Sequence, residues 1–253
     1  MLRGDFHHHI DTDPVDGHFV RYSIGALIDH AATLGLQVLA VTCHESVPYD
    51  EAAFRYAAEK GIMLLRGMEA TVEGKHVLLL NFREFPPGIC SMDEIAARKD
   101  PGALVIAPHP FYPIGAAGEE VLRAHRSVFD AVELSGMYTA LTPHFNRQAQ
   151  AFARSAGLPV VGNTDTHFLW QPGRTFTWID APADKQAVLD AIRQGRVQVS
   201  TRPLSWHHVV RFIHGSHSTA GTVRDGLQYM RKVLRRTRGA ERVLATRAAA
   251  DKV

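Results

Sequence analysis

Residues 23–44 read SIGALIDHAATLGLQVLAVTCH, and most of the architecture can be argued outward from them. Ser23 stands where a helix wants its N-cap, the apolar residues after it recur at helical spacing, and Gly35 stops the pattern. A β-branched run, LQVLAVT at 36–42, follows at once, with His44 just past its end. An amphipathic helix leading into a nearly continuous apolar strand is the repeating element of a parallel sheet buried on both faces.

The same alternation recurs along the chain. A helix at 50–60 leads to a strand at 62–68, and 72–82 (VEGKHVLLLNF) reads as a hairpin turning near Gly74. Helix 92–98 and strand 103–107 follow, then helix 119–125 and strand 131–134, and helix 143–156 and strand 158–162. Strand 175–179, helix 185–194 and strand 197–200 close the series. Repeated βα units predict an α/β fold, and seven or so of them close more naturally as a barrel than as an open sheet. A chain of 253 residues, 45% hydrophobic, suits one large domain of that kind.

Near residue 205 the composition changes. Residues 207–253 carry ten Lys and Arg against three Asp and Glu, a balance of +7, while the first 206 carry eighteen against twenty-three, a balance of −5. The expected organisation is a barrel over 1–206 and a basic helical extension over 207–253. Val223, Leu227, Met230 and Leu234 give that extension one apolar stripe flanked by Arg231, Lys232, Arg235, Arg236 and Arg238. A helix packed on the barrel with its charged face in water is the expectation; phosphate-backbone contacts to a nucleic acid are the competing one. The net charge of +2 does not mark the whole chain as a nucleic-acid or membrane protein. Without an apolar leader or a run of about 20 apolar residues, and with only Cys43 and Cys90 as cysteines, the chain reads as cytoplasmic.

Histidine is the compositional signal, with fifteen in the chain. In Asp5-Phe6-His7-His8-His9, strand-like alternation would put His7 and His9 on one side and His8 on the other. Two imidazoles so placed make a clamp for Zn, Mn or Fe. The remaining candidates fall where apolar runs end: His44 after 36–42, Glu69 after 62–68, His109 after 103–107, Glu133 near the end of 131–134, and Asp165 and His167 after 158–162. Functional groups of α/β barrels gather at that carboxyl edge. A single histidine there would be unremarkable, but repeated coincidence in order points to one metal site.

The ordered segments DFHHHID, VDG, AVTCHE, GMEA, IAPHP, VELSG and GNTDTH, with GRTFTWID and DAIRQGRVQVS after them, resemble the PHP family, the polymerase and histidinol-phosphatase domain. The resemblance spans residues 5 to about 203. It implies a distorted (β/α)7 barrel holding two or three divalent metal ions, here Mn, Zn or Fe. Carried over by position, the ligands are His7, His9, Asp16, His44, Glu69, His109, Asp165 and His167, with Glu133 as a further ligand or an outer-sphere group. Asp16 shares its loop with Asp11, Asp13 and His18, any of which could take its place. Cys43 stands where the family usually has Asp, which removes a carboxylate; as buried filler at a strand end it needs no metal.

The implied activity is hydrolysis of a phosphate ester by metal-activated water, with Glu69, Asp165 and Arg174 in catalytic roles. Arg174, in a Gly-Arg-Thr turn after His167, leads Arg66 and Lys75 as the group holding phosphate oxygens, and His76 could contact a small phosphorylated substrate. The rival readings are an amidohydrolase-type enzyme cleaving C–N or C–O bonds, a small nuclease using the basic tail, and a metal-free supporting domain.

Overall fold

The computed structural model describes residues 1–85, 88–89, 91–113 and 115–217. The chain divides into two units, 1–204 and 205–253. In the first, the elements follow in the order β1 (Leu2–Asp5), α1 (Ile24–Thr33), β2 (Val38–Val41), α2 (Glu51–Glu59), β3 (Met63–Val72), β4 (Lys75–Leu80), α3 (Met92–Arg98), β5 (Leu104–Ala107), α4 (Gly118–Ala124), β6 (Ala131–Ser135), α5 (His144–Ala156), β7 (Val160–Asn163), β8 (Thr175–Ile179), α6 (Lys185–Arg193) and β9 (Val197–Thr201). In the second, the described residues form helix α7 (Trp206–His217). The stripe of Val223, Leu227, Met230 and Leu234 lies outside the described residues.

Helix α1 begins as its sequence implies: the Ser23 hydroxyl accepts the Ala26 N–H at 3.3 Å. Leu27, Ile28 and Ala31 form its buried face, and Gly35, at φ +68°, turns the chain into β2. Helix α2 is capped by Asp50, whose side chain accepts the Ala52 N–H at 2.9 Å. Both helices lie over the outer faces of β2 and β3, where Leu39, Val41 and Leu64 meet Leu27, Ile28, Ala53 and Ala57. Farther round the same outer surface, Val105, Ala107, Val132 and Leu134 meet Met92, Ile95, Leu122, Ala149 and Phe152 from α3, α4 and α5.

The strands form one nine-stranded sheet in the order β7-β6-β5-β4-β3-β2-β1-β8-β9. Its inner face is built from alternate residues: Val38, Ala40, Leu65, Leu78, Leu80, Leu104, Ile106, Ala131, Val161 and Ile179, joined by Val188, Leu189 and Ile192 of α6. Fully burying each large aliphatic side chain contributes about 2 kcal/mol. The two ends of the sheet meet. The Gly162 N–H donates to Thr177 Oγ1 at 2.9 Å, and that hydroxyl returns a bond to the Gly162 carbonyl at 3.1 Å. A Cβ at Gly162 would lie 2.5 Å from Val199 Cγ1, so only glycine lets β7 come this close to β9. The result is a nearly closed barrel of mixed α/β construction, as expected.

Two details differ from the sequence reading. Beyond the expected hairpin, in which β4 runs antiparallel to β3, the sheet is not wholly parallel: β4 is also antiparallel to β5, and β8 is antiparallel to β1 and β9. Strand β4 is reversed because Glu73 and Gly74, at φ +52° and +73°, make a two-residue turn that only antiparallel strands can share. Strand β3 also runs on through residue 72, so Glu69 sits inside a strand rather than after one. It pairs there with Leu78 and shares the inward face with Leu65.

Candidate metal centre

The candidate residues come from successive strands at one edge of the barrel. Strand β1 ends at Asp5, and the chain stays extended through His8, which bridges to Thr166. The rings of His7 and His9 stand 5.3 Å apart, both fully buried. His8 turns elsewhere, its Nδ1 bonded to the Ala40 carbonyl at 2.9 Å. His44 follows β2 and bridges to Glu69 of β3. His109 follows β5, and Asp165 and His167 follow β7. His109 and Asp165 take positive φ, +27° and +53°, conformations uncommon for such residues and often found at functional sites.

Glu69 is the hub of the cluster. Its Oε2 lies 3.2 Å from His7 Nε2, 3.4 Å from His9 Nε2 and 3.3 Å from His44 Nε2. Its Oε1 lies 2.7 Å from His76 Nδ1 and 3.3 Å from His109 Nε2. Asp165 Oδ1 is 3.4 Å from the Nε2 atoms of both His7 and His9. His167 Nε2 meets Asp16 Oδ2 at 2.9 Å, and the same oxygen is 3.8 Å from His44 Nδ1. The rings of His44, His9 and His167 are stacked, 4.7 and 4.4 Å between successive centroids.

The donors fit a divalent cation. His9 Nε2 is buried and has no hydrogen-bond partner, although two carboxylate oxygens stand 3.4 Å away. Ligand atoms that share a metal at about 2.1 Å are roughly 3–3.5 Å apart, the spacing seen around Glu69 and Asp165. Groups close enough to share an ion, among the described residues, are His7–His9–Glu69, His7–His109–Asp165, His9–Asp165–His167, His9–Asp13–His44 and His44–Glu69–His76.

Burial works against charge on these groups, and the neighbours overcome it. Asp165, Glu69 and Glu133 raise the pKa of His7 well above the ordinary imidazole value. Against the same burial, hydrogen bonding to Asp13 and the charge of Glu69 lift His44 to about 9. The bond to Glu69 raises His109, and the bond to Asp16 raises His167. Glu69 and Asp165 are held well below the carboxylate range by the imidazoles, His7 foremost by charge. The carboxylates thus demand positive charge, which protons or metal ions can supply.

Not every sequence candidate stands in the same relation to the cluster. Glu133 lies behind His7, its Oε2 2.9 Å from His7 Nδ1 and its Oε1 accepting the His109 N–H at 3.1 Å. Arg174 donates from Nη2 to the Pro203 carbonyl at 2.7 Å. Arg66 is exposed and pairs with Glu51 at 3.2 Å. Cys43 is fully buried among apolar side chains, and burial, then Asp13, push its thiol pKa up. Cys90 lies outside the described residues.

Three residues matter more than their sequence context suggested. Asp13 holds His9 Nδ1 at 2.7 Å and the His44 N–H at 2.9 Å with one oxygen, and takes the N–H groups of Val15 and Asp16 with the other. Its place four residues after His9 was the available clue. His76 reaches Glu69 across the hairpin, a contact legible only once the register is known. Gln171, fully buried, accepts the N–H groups of His167 and Phe168 at 2.7 Å each and so fixes the turn that presents His167.

Comparison with known proteins bears on the fold. Residues 143–197 match the family model described as PHP-associated. An uncharacterized protein of Methanocaldococcus jannaschii is 30% identical over 106 residues, 41% of this chain and 60% of that protein's length. Among solved structures, PsfC from Pseudomonas syringae superposes with a TM-score of 0.58 at 18% identity, over 87% of this chain and 100% of its own. A protein provisionally named a metal-dependent phosphoesterase from Bifidobacterium adolescentis gives 0.52 at 18% identity, over 67% of this chain and 89% of its own. An amidohydrolase from Chromobacterium violaceum gives 0.53 at 16%, over 84% and 96%. The likeness to these structures is one of fold. No helix of the described residues is long and apolar enough to cross a membrane.

Proposed function

We propose that this chain is a PHP-family, metal-dependent phosphoesterase that hydrolyses a small phosphorylated substrate. The ions would be held by His7, His9, Asp16, His44, Glu69, His109, Asp165 and His167, in a site for two or three. One observation carries the reading: buried imidazoles from β1, β2 and β5 converge on two carboxylates, Glu69 and Asp165, at ligand-sharing distances. A mixed nitrogen and oxygen donor set favours Mn, Zn or Fe. Bound divalent ions would acidify water and offset the charge that develops on phosphate oxygens.

The chain's own part is to place and to hold. Glu69 and Asp165, each facing several imidazoles, are assigned the central catalytic positions, where one carboxylate can serve neighbouring ions. Asp13 orients His9 and His44 through Nδ1, so that the opposite nitrogens face the cluster. Arg174, at the end of the connection that carries Asp165 and His167, is assigned to the remaining phosphate oxygens. The bond from its Nη2 to Pro203 fixes one edge of the guanidinium.

The test is a panel of phosphomonoesters, phosphodiesters, amides and lactones after loading the protein with Mn, Zn or Fe. Release of phosphate or cleavage of a phosphodiester supports the reading. Turnover of an amide or lactone with phosphate esters untouched overturns it in favour of the amidohydrolase chemistry.

A further inference from the structure

Asn163, the last residue of β7, is fully buried beside the cluster and bonds in two directions. Its Oδ1 accepts the Phe6 N–H at 3.0 Å, and its Nδ2 donates to Glu133 Oε2 at 3.0 Å. A backbone N–H can only donate, so the amide oxygen must face Phe6 and the amide N–H must face Glu133. Glu133 Oε1 is meanwhile engaged by the His109 N–H at 3.1 Å. Both oxygens of Glu133 therefore act as acceptors, and the nearest partner left for Oε2 is His7 Nδ1, at 2.9 Å.

We infer that Asn163 is a positioning residue of the metal centre: acting through Glu133, it keeps the proton of His7 on Nδ1 and commits Nε2 to the metal. The chain of cause runs from a backbone amide to a side-chain amide, to a carboxylate, to one nitrogen of one imidazole. His7 Nε2 lies 3.2 Å from Glu69 Oε2 and 3.4 Å from Asp165 Oδ1, where a lone pair meets a cation that those oxygens also bind. The same geometry takes Glu133 out of the ligand set. It belongs to none of the groups close enough to share an ion among the described residues, and its oxygens are occupied. A buried asparagine that merely joined β7 to the segment after β1 would need its Phe6 bond alone; the second bond, to a carboxylate that grips a ligand, is the reason for the assignment.

The inference rests on the metal-centre reading, and the experiment separates the two. The full chain, labelled with 15N in histidine, is loaded with 113Cd, and metal–nitrogen couplings identify the coordinating atom of His7; affinity comes from competition with a chelator. The wild type is expected to couple through His7 Nε2. Asn163→Asp keeps an acceptor for Phe6 but sets an oxygen against Glu133. It is expected to bind the His7-linked ion roughly ten- to a hundredfold more weakly at unchanged stoichiometry, with the Nε2 coupling weakened or shared with Nδ1. Glu133→Gln, which puts an N–H₂ where an acceptor is required, is expected to show the same fall and carries the test should Asn163→Asp not fold. Unchanged affinity and coupling in a folded variant overturn the positioning role. Loss of one whole ion from Glu133→Gln makes Glu133 a ligand and overturns it as well, and a wild type that binds no cadmium overturns the metal centre itself.

Discussion

Metal binding should expel protons from this site in numbers that an ordinary set of histidines could not supply. The perturbation is saturation of the metal-free protein with Zn or Mn at pH 7.5. An imidazole of ordinary pKa near 6.5 is about 9% protonated at that pH, so His7, His9, His44, His76, His109 and His167 together would release only about half a proton. His44, lifted to about 9, is about 97% protonated at pH 7.5 and releases nearly one proton alone. His7, His109 and His167 are raised too, so the total should exceed one proton per chain. The sign follows from the direction of the shifts. A raised pKa means that the proton is bound at pH 7.5 and must leave before the nitrogen can coordinate, so apparent affinity climbs with pH. For His44 alone the rise from pH 6 to pH 8 is about ninetyfold, against about fourfold for an ordinary imidazole. Calorimetric titration in buffers of different ionisation enthalpy counts the protons, and His44→Gln should release about one fewer. Release of half a proton or less, unchanged in His44→Gln, would refute the electrostatics described for the cluster.

Asp165→Ala and His167→Ala should each lower phosphoesterase activity by at least roughly a hundredfold, whereas His125→Ala and His144→Ala should leave it within a few-fold; equal losses across the four would mean that histidine abundance, not a site, had been read. Gly162→Val should cost about 1–3 kcal/mol, because the new side chain meets Val199 at the barrel's closure, and thermal unfolding should show a Tm lower by roughly 2–12 °C. Removal of residues 219–253 should leave hydrolysis of a small phosphoester intact; loss of activity on polynucleotides alone would favour the nuclease reading of the basic tail.

The parts of the fold that were legible in the sequence are those fixed by local chemistry. Ser23, Gly35 and the apolar run after them place α1 and β2 because a cap, a stop and a periodicity act within a few residues. Strand direction is another matter. The hairpin at Gly74 gives the direction of 75–80, but nothing in the composition of 175–179 says that this strand runs against its neighbours, since its direction depends on distant pairing. The end of β3 was missed because Glu69 breaks the apolar pattern for the sake of the site, not of the strand. The histidines of the cluster stand out at strand ends, and Asp13 leaves only its spacing from His9 as a clue, whereas Asn163 and Gln171 act by hydrogen bonds to distant side chains and to backbone, which no spacing along the chain reveals.

Stripping the protein with a chelator, verifying its metal content by elemental analysis, and following phosphate release before and after adding back Mn, Zn or Fe tests the central claim most directly. Activity should vanish with the metal and return with it, at two or three ions per chain. Full activity in protein shown to be metal-free would contradict the assignment of this cluster as a hydrolytic metal centre.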